Sequence, residues 1–163
     1  MNYFVMKPDD RVKNAFKINA ESIAFDTTEP FAAFCDFSPS TDFVDFFTLR
    51  KQFNHLFCAS DPLKEMIDIY ADDFSAMPFF VIDKHQKGQM VYWILNLESI
   101  DCLEEKPFMR YDNLTLHSDQ IKNKYIFRIN YEKQEYVIVS LVLAENILRK
   151  IPSGIRFYPV NVT

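Results

Sequence analysis

Glycine is nearly missing from this chain: its 163 residues include only Gly88 and Gly154. A dinucleotide fingerprint, a P-loop or another Gly-rich phosphate cradle needs several glycines in one short loop, so these sites are excluded. Long apolar runs are missing as well. Nothing approaches the ~20 residues of a membrane helix, and the N-terminus has no apolar stretch of signal-peptide length. A cytoplasmic protein without membrane contact is expected. Cysteine is sparse, odd in number and scattered, at Cys35, Cys58 and Cys102. Buried free thiols in a reducing compartment fit that usage. Histidine is limited to His55, His85 and His117. His55 and Cys58 stand close enough to share a helical face, but no further ligands at zinc spacing accompany them. Neither a metal site nor a cofactor is expected. Glu104 and Glu105 do not form a glycosidase pair, because a strand would turn them to opposite faces and a turn would solvate both.

Basic residues are also missing from one long segment. Ile18 to Phe47 contains no Lys or Arg, yet holds Glu21, Asp26, Glu29, Asp36, Asp42 and Asp45. From Gln120 onward, Lys122, Lys124, Arg128, Lys133, Arg149, Lys150 and Arg156 face only Glu132, Glu135 and Glu145. The net charge of −5 disfavours nucleic acid as the main partner, since phosphate binding draws on clustered Lys and Arg.

Aromatic residues are abundant. Seventeen Phe and eight Tyr stand in a chain that is 48% hydrophobic, which places it among folded globular proteins. One domain spanning 1–163 is expected, with room for a sizeable core. A Phe-packed core uses most rings; others are available as interface anchors. Ala24–Phe47 carries Phe25, Phe31, Phe34, Phe37, Phe43, Phe46 and Phe47 among turn formers, without clean periodicity. It reads as a mostly irregular connection with short helical turns. Carboxylates steer a basic partner at a distance, and rings hold it at short range. Glu29, Asp36, Phe37, Asp42 and Asp45 are therefore the candidate partner-binding residues. No catalytic residue is assigned.

The C-terminal end has the clearest pattern. Tyr136–Val139 is a β-branched run, Ser140 is placed to cap a helix, and Leu143, Ile147, Leu148 and Ile151 fall on one helical face. Pro152 and Gly154 then stop the helix before a strand over Ile155–Val160. An echo runs from Phe57 to Asp83. Ser60 and Asp61 offer caps and Pro62 suits a first helical position. Leu63, Met66, Ile67, Tyr70 and Phe74 make the stripe, Pro78 breaks it, and Phe79–Asp83 is the next strand. Segments 57–83 and 136–160 fit an internal duplication, and equally the ordinary recurrence of helix and strand.

Elsewhere Tyr3–Lys7, Gln89–Leu97, Leu114–Leu116 and Tyr125–Asn130 read as strands. The turns at 84–88 and 131–135 give two hairpins. Ile100–Leu103 is a possible continuation of the sheet, and Val12–Ile18 fits a short helix or an extended segment. The fold class is α+β, with a mixed, mainly antiparallel sheet and two short amphipathic helices in two loosely similar helix–strand units.

The order of these pieces carries a family resemblance. MNYFVMK, SDPLKEMI…PFFVID, YWILNLESIDCL, YIFRI and VSLVLAENILRKIPSGIRFYPV follow one another. Together they resemble immunity family eleven of bacterial polymorphic toxin systems, over most of Phe57–Val160 plus the first seven residues. The resemblance implies a protein that binds and neutralises a cognate toxin domain; the acidic segment would suit a basic, nuclease-like one. A small enzyme with a Cys/His or carboxylate site, and a homo-oligomeric structural protein, are the alternatives.

Overall fold

The computed structural model describes residues 1–19, 23, 29–51, 54–85, 88–104 and 109–163. Among these lie ten strands, two α-helices and a short 3-10 turn. The first sheet has the order β2-β5-β6-β4-β3: Phe31–Cys35, Ser75–Asp83, Gln89–Asn96, Asn54–Ser60 and Phe46–Lys51. The second has the order β7-β10-β1-β9-β8: Thr115–Leu116, Ile155–Val162, Tyr3–Pro8, Gln134–Ser140 and Ile126–Tyr131. All pairings are antiparallel except β2 with β5 and β7 with β10. The α+β class, mainly sheet, is thus the observed one.

Both sheets follow one plan. A hairpin (β3–β4 or β8–β9) runs through a serine cap into a helix, α1 (Asp61–Tyr70) or α2 (Leu141–Arg149). The next strand, β5 or β10, pairs with a central antiparallel strand, β6 or β1, and in parallel with an edge strand, β2 or β7. The detail repeats too. Ser60 and Ser140 each accept from the backbone N–H three residues on, at 3.3 Å, satisfying one of the orphan donors of a helix start. Each serine lies opposite a buried tyrosine, Tyr92 or Tyr3. Those phenols donate to backbone carbonyls, Tyr92 to Val44 at 2.8 Å and Tyr3 to Ile121 and Lys124 at 2.8 and 3.0 Å.

One core joins the halves. Phe46, Phe57, Ala59 and Leu95 of the first sheet meet Met6, Ile126, Val137 and Val139 of the second, with Leu63, Ile67, Leu143 and Ile147 of the helices between them. The outer faces have covers of their own. Phe16, Ile18, Ile23 and Phe37 lie over the first sheet, and Cys102, Met109, Leu114 and Ile121 over the second.

Several expectations need correction. Residues 24–28 lie outside the described residues, but Phe31–Cys35 and Phe46–Lys51 are strands, not irregular connection. Strand parity was hidden there because Phe31 and Phe34 both look apolar, although only the first packs inward. Helix α1 ends at Tyr70, which puts Phe74 beyond it. Leu148 and Ile151 are exposed, and Leu143, Ala144 and Ile147 make the buried face of α2. Pro78 lies inside β5, opposite Trp93 and one residue before pairing with β2 begins, so its missing N–H faces no ladder partner. His55 and Cys58 share strand β4 and, three apart, project to opposite faces. Val12–Ile18 forms no regular element beyond a bridge between Ala15 and Asp42, and Leu103 makes only an isolated bridge to Leu116.

Candidate functional site

The five candidate residues occupy three different settings. Asp45 turns inward, just before β3. Its carboxylate accepts from the Ser60 hydroxyl at 2.6 Å and from the Ser153 N–H at 2.6 Å. Its backbone N–H donates to the Ser153 carbonyl at 2.8 Å. It therefore fastens the start of α1 to the turn after α2. In that turn Gly154 has φ of 76°, and a Cβ there would stand 2.5 Å from Val44 Cγ1. Both the positive φ and this close approach require glycine.

Phe37 belongs to the cover of the first sheet. Its ring meets Phe43 edge-on at 5.0 Å, and its N–H donates to Asp83 at 3.0 Å. Asp42 is exposed on the same connection, where its N–H donates to the Asn14 carbonyl at 2.8 Å. Glu29 and Asp36 are exposed at the two ends of edge strand β2. Asp36 stands 3.7 Å from Lys84 and 3.5 Å from His85, all three largely in water.

Between those ends lies a surface that sequence reasoning missed. Ala32 and Phe34 lie on the helix-bearing face of β2, and register places them opposite Phe80 and Ile82 of β5. Val91 of β6 continues the row beside Phe80. Phe34 is 54% exposed and Phe80 37%. Helix α1 covers the β4–β6 half of this face, with the Trp93 indole donating to Asp61 at 2.7 Å at its border. Among the described residues, no helix covers the β2–β5 half. The second sheet shows what the plan itself requires at these places. Register makes Asn161 the counterpart of Phe80, and Thr115, which is buried, that of Ala32; β7 ends before a counterpart of Phe34. The fold thus accepts an exposed polar side chain where the first sheet carries the Phe80 ring. No sequence signal distinguished Phe34 and Phe80 from core phenylalanines.

A second concavity, about 360 Å³, lies between the helices. Pro62, Met66, Ile69, Ile147 and Pro152 make it largely apolar, with Glu65 and Lys150 on its rim. Its shape and lining suit an apolar side chain.

The thiols are poorly placed for nucleophilic work. Cys35, Cys58 and Cys102 are all buried. Burial pushes Cys35 and Cys102 up to about 11 and raises Cys58 further, away from the range in which a thiolate forms near neutrality. Glu105 lies outside the described residues. Among the described residues no helix is long and apolar enough to cross a membrane.

No protein-family model matches this chain, and no curated protein matches it.

Proposed function

We propose that this protein is an immunity protein that binds a cognate toxin domain stoichiometrically, in the cytoplasm, with the exposed β2–β5 part of the helix-bearing face of the first sheet as the contact surface. The observation that carries the reading is the exposed pair Phe34 and Phe80, the latter set where the matching sheet has Asn161. Exposed aromatics beside a polar rim suit an interface hot spot. Glu29 and Asp36 frame the patch and supply the attraction for a basic partner. The ordered resemblance to immunity family eleven supports the class of partner. The Cys/His enzyme alternative meets buried thiols of raised pKa and a His55–Cys58 pair split across a strand.

The test is binding to the toxin domain encoded beside this gene, and rescue of cells that express it. Phe34→Ser and Phe80→Ser should weaken binding by about thirtyfold each, chiefly through faster dissociation. Asp36→Asn should slow association, with an effect that fades as salt rises. Wild-type protein that neither binds nor protects would defeat the immunity reading. Unchanged affinity in both Phe variants would move the contact elsewhere. A wild-type dimer in solution that both Phe variants convert to monomer would favour the homo-oligomeric alternative.

A further inference from the structure

Where the sheets open away from the helices, a pocket of about 240 Å³ separates β3 and β4 from β1 and β9. Its floor is the end of the shared core: Met6, Phe57 and Val137. Strand parity brings further side chains onto the same inner face. In β3, Thr48 and Arg50 follow buried Phe46 at steps of two; in β4, His55 precedes buried Phe57; in β9, Glu135 precedes buried Val137. All four residues line the pocket, together with Gln134. Arg50 and His55 are directly opposite in the β3–β4 register, which sets their Cβ atoms about 5 Å apart.

The hydrogen bonds already made decide which groups remain free. His55 Nδ1 accepts from the Glu135 backbone N–H at 3.3 Å. The neutral ring then carries its proton on Nε2, which is left as a donor. Gln134 and Tyr136 alternate with Glu135 and Val137, so their side chains turn to the other face of β9, where the Tyr136 hydroxyl donates to the Gln134 side-chain oxygen at 2.7 Å. The Glu135 carboxylate is held by Arg128 at 3.1 Å, so the pocket's one acid is already neutralised. Among the described residues no carboxylate lies within ion-pair distance of Arg50. The pocket therefore presents a guanidinium, an imidazole N–H and the Thr48 hydroxyl, beside a carboxylate whose charge Arg128 offsets.

We propose that this pocket binds a small oxyanion, with the Arg50 fork as its main anchor and His55 and Thr48 as additional donors. Phosphate and carboxylate groups both match the planar spacing of a guanidinium. The volume holds either one with a few waters. The site is separate from the β2–β5 surface and does not depend on the immunity reading.

The experiment is an NMR titration of the full chain with inorganic phosphate and, separately, with acetate, at constant ionic strength. Saturable shifts should appear at the amides of Thr48, His55 and Glu135. Arg50→Gln should weaken the binding about tenfold or more, and His55→Gln by less. Lys133→Gln, a cation on the hairpin turn outside the pocket, should leave it unchanged. The unliganded spectrum of each variant checks its fold. Saturation by phosphate alone identifies a phosphoryl ligand, and saturation by acetate alone a carboxylate; either result supports the site. Shifts that fail to saturate with both anions, or affinity unchanged in both Arg50→Gln and His55→Gln, would overturn it.

Discussion

Replacing Asp45 should loosen the molecule at the joint between its halves. The carboxylate accepts two short hydrogen bonds, from the Ser60 hydroxyl and the Ser153 N–H. Bonds to an ionised acceptor contribute about 1.5–3 kcal/mol each. Asp45 is only partly buried, and water entering the groove between the helices would return part of that loss. Asp45→Ala should therefore cost about 2–4 kcal/mol, and Asp45→Asn, which keeps one acceptor oxygen, about 1–2 kcal/mol. For a chain of this size the larger loss lowers Tm by about 5–15 °C. Urea unfolding followed through Trp93, the single tryptophan, is the assay. Ser60→Ala removes both a helix cap and one of the same bonds. The double variant should then lose less than the sum of the singles, with a coupling of about 1 kcal/mol. A loss below about 0.5 kcal/mol for Asp45→Ala would refute the reasoning, as would additivity within about 0.3 kcal/mol.

Four other outcomes are expected. Ile151 is 89% exposed and held at φ of 52°, so Ile151→Gly should raise stability by about 1 kcal/mol; an unchanged urea midpoint would contradict this. The β8–β9 hairpin turns on Glu132 and Lys133 at φ of 49° and 64°, so Asn-Gly at those positions should add about 1 kcal/mol, read the same way. At pH 8 a thiol at about 11 is about one part in a thousand thiolate, so native protein should resist a thiol-reactive dye that labels all three cysteines in denaturant. A side-chain hydrogen bond from Arg11 holds Asp9 down at about 2. Its stabilising effect is present above the ordinary carboxylate range and fades as pH falls through the folded value; Arg11→Ala should raise the Asp9 midpoint in an NMR titration.

Much of the fold could be read locally. Ser60 and Ser140 are caps because a hydroxyl before an apolar stripe has one obvious use, and both helices start where those serines place them. The β8–β9 hairpin follows from two β-branched runs around a polar turn. The helix ends were harder. Leu148 and Ile151 continue the apolar spacing of α2, but the helix stops at Arg149, and only the position of the neighbouring elements determines what is buried. Strand β2 was illegible for a related reason. Phe-Ala-Ala-Phe-Cys has no polar–apolar alternation, so neither its period nor its outward face can be read. Asp45 was picked for its charge and the acid-rich segment around it. Its actual role depends on Ser153, more than a hundred residues away, which no local pattern announces.

The two joints between the halves show why the β2–β5 surface can be tested without disturbing the fold. The first is made by Asp45 on Ser153 and by Val44 against Gly154. The corresponding residues of the second half make the other: Tyr125 packs on Tyr70 at the end of α1 with ring centroids 5.8 Å apart, and Lys124 bonds Asp73 at 2.6 Å. One joint thus relies on a carboxylate and a glycine, the other on rings and an ammonium. Paired bonding to Asp73 and Glu98 lifts the Lys124 ammonium to about 12, so it stays charged across the working pH range. Both joints lie beside the helices and hold one sheet to the other. Phe34 and Phe80 take part in neither, and both are exposed in part, Phe34 more than Phe80. Exchanging them for serine breaks no hydrogen bond; stability should stay within about 0.5–1 kcal/mol of wild type for the more exposed Phe34 and fall by about 1–2 kcal/mol for Phe80, which is 37% exposed. A loss of binding in Phe34→Ser with the urea midpoint within that range reports on the contact itself. Full binding by folded Phe34→Ser and Phe80→Ser at the temperature of the assay would make the assignment of this face as the contact surface fail.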